Sequence, residues 1–267
     1  MSEGRGFDTR ETAMRLLYVV PGPMSKTGLG TAELDRRGTK LREWAAPGTS
    51  VDIRDVETGP ASIESAYEEY LAVPATATAM LAAEESGYDA ALLGCFGDPG
   101  IDAFRELLTS TVVVAPGEAA FHIAALLGER FGIVTVAASI VNPLRQLVRR
   151  AGCRERLAGI EVVETPVLEL AADTDRTLAR MRDAGRRLVE QAGADTLVLG
   201  CMSMAFLDVT RRLEDDLGVP VVNPALSALR VAEALVGSGL RHSKRAYPLP
   251  PKLSRGTVGA ADSLVVG

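Results

Sequence analysis

One nine-residue segment occurs twice in this chain, and its recurrence constrains the fold more than any other feature. The segment 87–95 reads GYDAALLGC, and 106 residues later the segment 193–201 reads GADTLVLGC. Further identities at the same offset are Asp102 with Asp208, Arg105 with Arg211 and Leu107 with Leu213. Each cysteine is followed by an apolar strand, a proline and an alanine-rich helix, at 112–127 and at 220–235. These matches predict a duplicated α/β unit.

Apolar runs alternate with helix-length amphipathic stretches along the whole chain, as in proteins built from βα units. Strands are predicted near 15–20, 51–56, 89–94, 111–115, 131–136, 160–164, 195–200 and 219–223. Together with the duplication, they predict two similar parallel-sheet α/β domains of flavodoxin-like arrangement. A pseudo-two-fold axis would relate the domains, with the active site in the cleft between them. The first domain is expected to comprise residues 1–115 and 224–267, and the second residues 116–223.

Two local features refine this prediction. Pro74 is expected to kink or end a helix that begins near Ile63, because proline lacks the backbone N–H that continues the helix. From Arg241 onward the chain is basic and rich in proline. That composition favours a tail that lies over the surface rather than a core element.

Composition limits the partners of the chain. Its 267 residues are 47% hydrophobic and 24% charged, which is typical of a soluble globular protein. A net charge of -6 and an aromatic content of 4% argue against nucleic acid as a partner. No apolar run approaches the roughly 20 residues that span a bilayer, and the segment 1–12 is too polar for a secretory signal. We therefore expect a cytoplasmic homo-oligomer that binds a small molecule and neither nucleic acid nor membrane.

The rare residue types argue against a metal or an organic cofactor. The three cysteines are widely spaced without a CxxC pair, and the chain has only two histidines, so a structural zinc site is not indicated. Positions 41–243 contain no lysine, which excludes a pyridoxal-phosphate Schiff base there. The sequence Gly28-Leu29-Gly30 lacks the third glycine of a dinucleotide loop, since position 33 is Glu. The prediction is an enzyme without cofactor or metal.

Cys95 and Cys201 are the strongest catalytic candidates. Both end a predicted parallel strand, where ligands bind in open α/β sheets, and the pseudo-symmetry would bring them to one cleft from opposite sides. Inversion of a carbon centre needs this arrangement, because one group removes a proton and another returns one to the opposite face. A helix N-terminus is expected to lower the pKa of one thiol, so that one is a thiolate and the other a thiol. A lone cysteine at a strand end is more often a core residue, and Cys153 is interpreted in that way.

Several other residues have a structural interpretation as well as a functional one. The backbone N–H groups of Phe96, Gly97, Met202 and Ser203 are expected to stabilise negative charge on a substrate carbonyl. Asp98 either caps the helix that follows it or contacts the substrate directly. The acidic series is interpreted as a solvated helix face rather than a general-base cluster, and comprises Glu57, Glu64, Glu68 and Glu69.

Four motifs stand out in this chain: GCFGDPG at 94–100, GPASIES at 59–65, GEA at 117–119 and LGC at 199–201. Together they resemble the hydantoin racemase branch of the aspartate/glutamate/hydantoin racemase superfamily. The resemblance spans about residues 15–236 and implies cofactor-free racemisation with Cys95 and Cys201 as the bases. It also implies a hydantoin, an allantoin or a similar cyclic ureide as the substrate. The residues that it places at the substrate are Pro23, Ser62, Phe96, Gly97, Asp98, Glu118, Thr135, Met202 and Ser203.

This chain departs from the family pattern on its binding loops. Similar proteins carry an Asn-Pro-Asn-Ser/Thr turn after the first strand, where this chain reads PGPMS at 21–25. Met202 and Ser203 also replace the small residues that usually follow the second cysteine. Because both changes spare the cysteines, they favour retained chemistry on an altered substrate. The alternatives are a decarboxylase or a cis-trans isomerase on the same scaffold, and a non-catalytic small-molecule binder.

Overall fold

A computed structural model of the chain describes residues 13–254. All eight predicted strands are present, with ends that differ from the predicted ones by a few residues. The strands are β1 Met14–Val20, β2 Thr49–Asp55, β3 Ala90–Leu93, β4 Val112–Val114, β5 Phe131–Thr135, β6 Leu157–Val162, β7 Thr196–Leu199 and β8 Val221–Val222. The helices are α1 Gly30–Trp44, α2 Ala66–Glu85, α3 Ile101–Leu107, α4 Pro116–Leu127, α5 Val141–Arg150, α6 Thr174–Glu190, α7 Met202–Ala205, α8 Thr210–Leu217, α9 Pro224–Gly237 and α10 Pro251–Ser254.

The strands form two parallel sheets of the same topology. The first has the order β2-β1-β3-β4 and the second the order β6-β5-β7-β8. Every strand pair in both sheets is parallel. β1 of the first sheet therefore corresponds to β5 of the second, and β3 corresponds to β7. The predicted α/β class with two similar parallel sheets is confirmed.

Helices from each half cross the junction between the sheets. α4 packs against β5, β7 and β8 of the second sheet, and α9 returns to pack against β3 and β4 of the first. The two helices also pack against each other. Phe121 on α4 contacts Phe96 edge to face and stacks on Phe131, with ring centroids 5.6 and 5.4 Å apart. This aromatic cluster ties the loop after β3 to the first strand of the second sheet.

The helix around Pro74 differs from the prediction. α2 begins at Ala66, where the Ser65 hydroxyl accepts a hydrogen bond from the Glu68 N–H, and it continues to Glu85 with Pro74 inside it. The expectation that Pro74 ends this helix is wrong. One missing N–H costs the helix less than it gains by burying a face of small and apolar residues against the first sheet.

The described part of the basic tail, residues 241–254, lies over the surface, as predicted, and contacts the first half of the molecule. The Val113 N–H donates to His242 Nε2 at 2.8 Å, and Lys244 Nζ donates to the Arg105 carbonyl at 2.7 Å. The structure does not describe the polar segment 1–12 or residues 255–267. Both belong to the predicted first domain. Within residues 13–254, no helix combines the length and the apolar character needed to cross a membrane.

Candidate active site

Cys95 and Cys201 line the same cavity between the two sheets. Cys95 follows β3 of the first sheet and Cys201 follows β7 of the second, so the thiols approach the cavity from different halves of the molecule. The cavity has an empty volume of about 780 Å³, which includes open solvent at its mouth.

A glycine precedes each cysteine for the same physical reason. The Gly94 N–H donates to the Val19 carbonyl and the Gly200 N–H to the Val134 carbonyl, both at 2.7 Å. A Cβ atom at Gly94 would lie 2.7 Å from that carbonyl oxygen, and one at Gly200 would lie 2.9 Å from its counterpart. Only glycine permits so close an approach of the two backbones. The repeated Leu-Gly-Cys sequence therefore places the two cysteines at equivalent positions at the carboxyl ends of β3 and β7.

Carboxylates surround the Cys95 thiol. Burial raises the pKa of Cys95, and the negative charges of Glu69 and Asp98 add to this effect. The backbone N–H of Gly97 donates to the sulfur and opposes the increase. Glu69 lies in the cavity wall, and burial raises the pKa of its own carboxyl.

A cation accompanies the Cys201 thiol instead. Burial raises the pKa of Cys201 too, but the N–H groups of Met204 and Ser203 and the positive charge of Arg37 oppose this increase. Arg37 is 3% exposed and reaches the cavity from α1. Its Nη2 donates to the Ser203 hydroxyl at 2.9 Å, and its Nε donates to Glu33 Oε1 at 2.7 Å.

The expectation that a helix N-terminus lowers the pKa of one thiol holds only in direction: the N–H groups of Ser203 and Met204, in the first turn of α7, lower the pKa of Cys201, but burial raises it more. α3 begins six residues after Cys95, too far for its N-terminal N–H groups to reach the sulfur. α7 begins directly after Cys201 but has only four residues, so its dipole is small. Desolvation is the larger effect at both thiols.

The structure brings five of the predicted substrate residues to the cavity wall. These are Ser62, Phe96, Gly97, Met202 and Ser203. The N–H groups of Gly97 and Ser203 point at the cysteine sulfurs, whereas we expected them to face a substrate carbonyl. The Met204 N–H, which the sequence did not single out, also points at a sulfur.

The other predicted substrate residues lie outside this wall. Pro23 sits between the wall residues Gly22 and Met24. Thr135 is completely buried, and its hydroxyl donates to the Gly200 carbonyl at 3.1 Å, which places it behind the Cys201 loop. Glu118 forms an ion pair with Arg105 at the mouth of a separate, polar cavity.

Asp98 joins the two halves of the molecule. Its carboxylate accepts backbone hydrogen bonds from Gly117 at 2.9 Å and Glu118 at 2.8 Å, at the N-terminus of α4. The helix that follows it, α3, begins instead after Gly100, which has a φ of 73°. The expectation that Asp98 caps the next helix is therefore wrong, because the carboxylate caps a helix that packs on the opposite sheet.

The solvated-face interpretation is wrong for two members of the acidic series. Glu69 lines the cavity. Glu64 is half-buried, and its Oε1 accepts hydrogen bonds from the Ser62 hydroxyl and from the Val167 N–H, both at 3.0 Å. Ser62 and Val167 both line the cavity. The Glu64 carboxylate therefore connects the wall segment around Ser62 in the first half with the wall segment around Val167 in the second half.

The site residues that were not predicted differ in how visible they are in the sequence. Glu64 lies within the GPASIES motif and could have been singled out there. Arg37 follows another arginine on a polar helix, and Glu69 follows another glutamate, so no sequence pattern distinguishes either from a surface charge.

The remaining walls are mainly apolar. They include Val20, Met24, Leu29, Ile63, Val136, Ile140 and Leu144. Charged groups in the wall are Arg37 and Glu69. Among residues 13–254 no cluster of three or more His, Cys, Asp or Glu side chains could hold a metal ion. The groups in this wall that can exchange protons include the two thiols and the Glu69 carboxyl.

Comparison with known proteins gives a consistent set of similarities. The sequence model of a family described as Asp/Glu/Hydantoin racemase matches residues 34–232. The chain is 36% identical to a hydantoin racemase from Paenarthrobacter aurescens over 232 residues, which cover 86% of this chain and 94% of that protein. It is 37% identical to a hydantoin racemase from Pseudomonas sp. (strain NS671) over 195 residues, or 73% of this chain and 77% of the relative. The structure of an allantoin racemase from Klebsiella pneumoniae matches with a TM-score of 0.82 at 29% identity, covering 95% of this chain and all of that one.

Proposed function

Because the chain belongs to the Asp/Glu/hydantoin racemase family and is an isomerase, we propose that it racemises a hydantoin- or allantoin-like substrate without a cofactor. Cys95 and Cys201 act as its acid and base. The observation that carries this proposal is the position of the two thiols, which follow equivalent strands of two sheets and line one cavity.

The proposed reaction is a proton exchange at the carbon next to a carbonyl group. One cysteine, as the thiolate, takes the proton from that carbon, and the electron pair of the broken C–H bond delocalises onto the carbonyl oxygen. The opposite cysteine, as the thiol, then gives its proton to the other face of the same carbon. A C–H bond forms there, the carbonyl is restored, and the second cysteine is left as the thiolate. Atoms and charge balance without an added reactant.

The polarity of the cavity supports a small cyclic ureide with an apolar substituent. The apolar wall can bury a substituent on the inverted carbon, and Ser62 and Glu69 offer hydrogen bonds to ring carbonyl and N–H groups. The low polarity also favours proton transfer, because it keeps water away from the carbanion-like transition state.

Two thiols on different walls favour racemisation over decarboxylation and over non-catalytic binding. A decarboxylase needs to protonate one face only, and a binding protein needs no acid or base. We also expect a cytoplasmic homo-oligomer whose domains are 1–115 with 224–267, and 116–223. The packing of α9 on the first sheet supports that division.

The test is replacement of each thiol in turn, with Cys95→Ser and Cys201→Ser compared on a panel of hydantoins and amino acids in D2O. Removing one base should slow racemisation by about 100-fold or more, because serine has a far higher pKa than cysteine. One variant should retain solvent deuterium exchange into a single enantiomer without inverting it. Cys153→Ser is the matched control and should keep its activity, since Cys153 is buried against His122 and Ala151. Racemisation at the wild-type rate by both serine variants would refute the two-thiol mechanism.

A further inference from the structure

The two thiols have similar backbone surroundings but opposite electrostatic ones. Each sulfur accepts backbone N–H hydrogen bonds from the residues that follow it. The acidic neighbours of Cys95 are Glu69 and Asp98, whereas Cys201 has the guanidinium of Arg37 beside it. Nothing in the repeated Leu-Gly-Cys segments accounts for this difference. It comes from α1, α2 and the loop after β3, all of which belong to the first half of the molecule.

Arg37 is held rigidly in the position from which it acts. Its guanidinium lies 5.1 Å from the centroid of the Phe206 ring and donates to Ser203, two residues after Cys201. The side chain is 4% exposed, so water screens its charge poorly. A guanidinium also stays protonated throughout the pH range of enzyme activity.

The charge of Arg37 is not cancelled by its ion pair. Glu33 is shared between two arginines, because its Oε1 accepts from Arg37 Nε at 2.7 Å and its Oε2 accepts from Arg36 Nε at 2.7 Å. Two guanidinium groups with one carboxylate leave a net positive charge beside the Cys201 loop. The Tyr18 hydroxyl also faces Arg37 and both thiols, but burial raises its pKa and the phenol stays neutral.

We propose that Arg37 makes the two thiols unequal, so that Cys201 gives up its proton more readily than Cys95 before substrate binds. Arg37 is thus a positioning residue that acts through Cys201. The inference rests on the proposed function, because the protonation state of the thiols matters only if both exchange protons with the substrate. The other charged group that faces Cys201 is Glu64, from the loop before α2, and it opposes Arg37.

The proposal predicts the order in which the thiols react with a neutral alkylating reagent. In the wild-type protein, iodoacetamide should modify Cys201 at lower pH than Cys95, because the thiolate is the nucleophile and iodide leaves as the S–C bond forms. Mass spectrometry of the separate peptides gives a pH profile for each cysteine, and Cys153 is followed on its own peptide. This measurement needs neither a variant nor a known substrate. A profile in which Cys95 reacts at lower pH than Cys201 would overturn the proposal.

Arg37→Gln should then move the Cys201 profile to higher pH by about one unit or more, which is about tenfold slower alkylation below the pKa. The Cys95 profile should move less. Arg37→Lys keeps a positive charge and should keep most of the wild-type profile. Arg36→Gln is the matched control, because it removes the neighbouring guanidinium that shares Glu33 but is more exposed than Arg37. An unmoved Cys201 profile in Arg37→Gln, or an equal shift in Arg36→Gln, would contradict the assignment to Arg37.

These outcomes are separable from failure of the proposed function. If both serine variants racemise normally, the two-thiol mechanism fails whatever the alkylation profiles show. If both thiols are required and Arg37→Gln leaves the alkylation profile of Cys201 unchanged, only the inference about Arg37 fails.

Discussion

Replacing Asp98 with Asn tests a buried charge that joins the two halves beside Cys95. Its carboxylate accepts from the Gly117 and Glu118 N–H groups, while its own N–H donates to the Cys95 carbonyl at 3.2 Å. The residue is 1% exposed. Burial raises the pKa of this carboxyl to about 7, although the two N–H donors oppose the increase. The group therefore changes its charge at a pH where an unfolded aspartate is already ionised.

The difference in proton binding between the folded and the unfolded protein determines whether the free energy of unfolding rises or falls with pH. An unfolded aspartate has a pKa of about 3.9, so between pH 5 and 7 the folded protein holds a proton that the unfolded chain has lost. The stability contributed by this proton is fully present below the unfolded pKa of about 3.9 and is lost progressively as the pH rises to the folded pKa of about 7. Each pH unit in that window changes the free energy of unfolding by about 1.4 kcal/mol. The wild-type protein should therefore lose about 2.5 kcal/mol more than Asp98→Asn between pH 5 and pH 8.

The assay is urea unfolding, followed by circular dichroism at each pH unit from 5 to 8. Asp102→Asn is the matched control, since it removes the same charge four residues away from a side chain that is 52% exposed. Other titrating groups contribute equally to both proteins and cancel in the difference between wild-type and variant. If Asp98→Asn loses stability with pH as steeply as the wild-type protein, the argument for a protonated carboxyl at this junction is refuted.

Two further predictions concern the walls of the cavity. Gly94→Ala and Gly200→Ala should each lower the free energy of unfolding by about 1–3 kcal/mol, because the added Cβ would overlap a strand carbonyl. Urea unfolding measures this, and Gly28→Ala should be harmless because its Cβ would meet nothing within 4 Å. Glu64→Ala should raise KM by about fivefold or more with a smaller change in kcat, because it removes a charged hydrogen bond to the Val167 N–H across the cavity. Steady-state kinetics would contradict this if only kcat fell.

The strands were predictable because burial on both faces produces apolar runs that are visible without an alignment. β3 and β7 are buried at every position, and both were predicted to within a residue or two. The largest error falls on β6, predicted at 160–164 and observed at Leu157–Val162. This strand pairs on one side only, with β5, and its residues are half-buried, so its apolar pattern is weaker.

The errors have a common origin in contacts between distant residues. Pro74 does not end α2, because burial against the first sheet offsets the missing N–H. Asp98 caps α4 rather than α3, and α4 begins 18 residues later. Glu69 resembled a surface charge in the sequence but lies in the cavity wall. Local patterns cannot show which helix N-terminus or cavity a side chain will meet.

The duplicated α/β architecture and the equivalence of Cys95 and Cys201 can be predicted without coordinates, because both follow from repeated local segments whose strands and turns are encoded nearby. The difference between the two thiols arises only when the chain folds. Electrostatic interactions depend on distance through space and on exclusion of water, and neither quantity is a function of separation along the chain. Arg37 precedes Cys201 by 164 positions, yet the packing of α1 places its charge beside that thiol. The folded arrangement of charges therefore makes a symmetrical pair of cysteines chemically unequal.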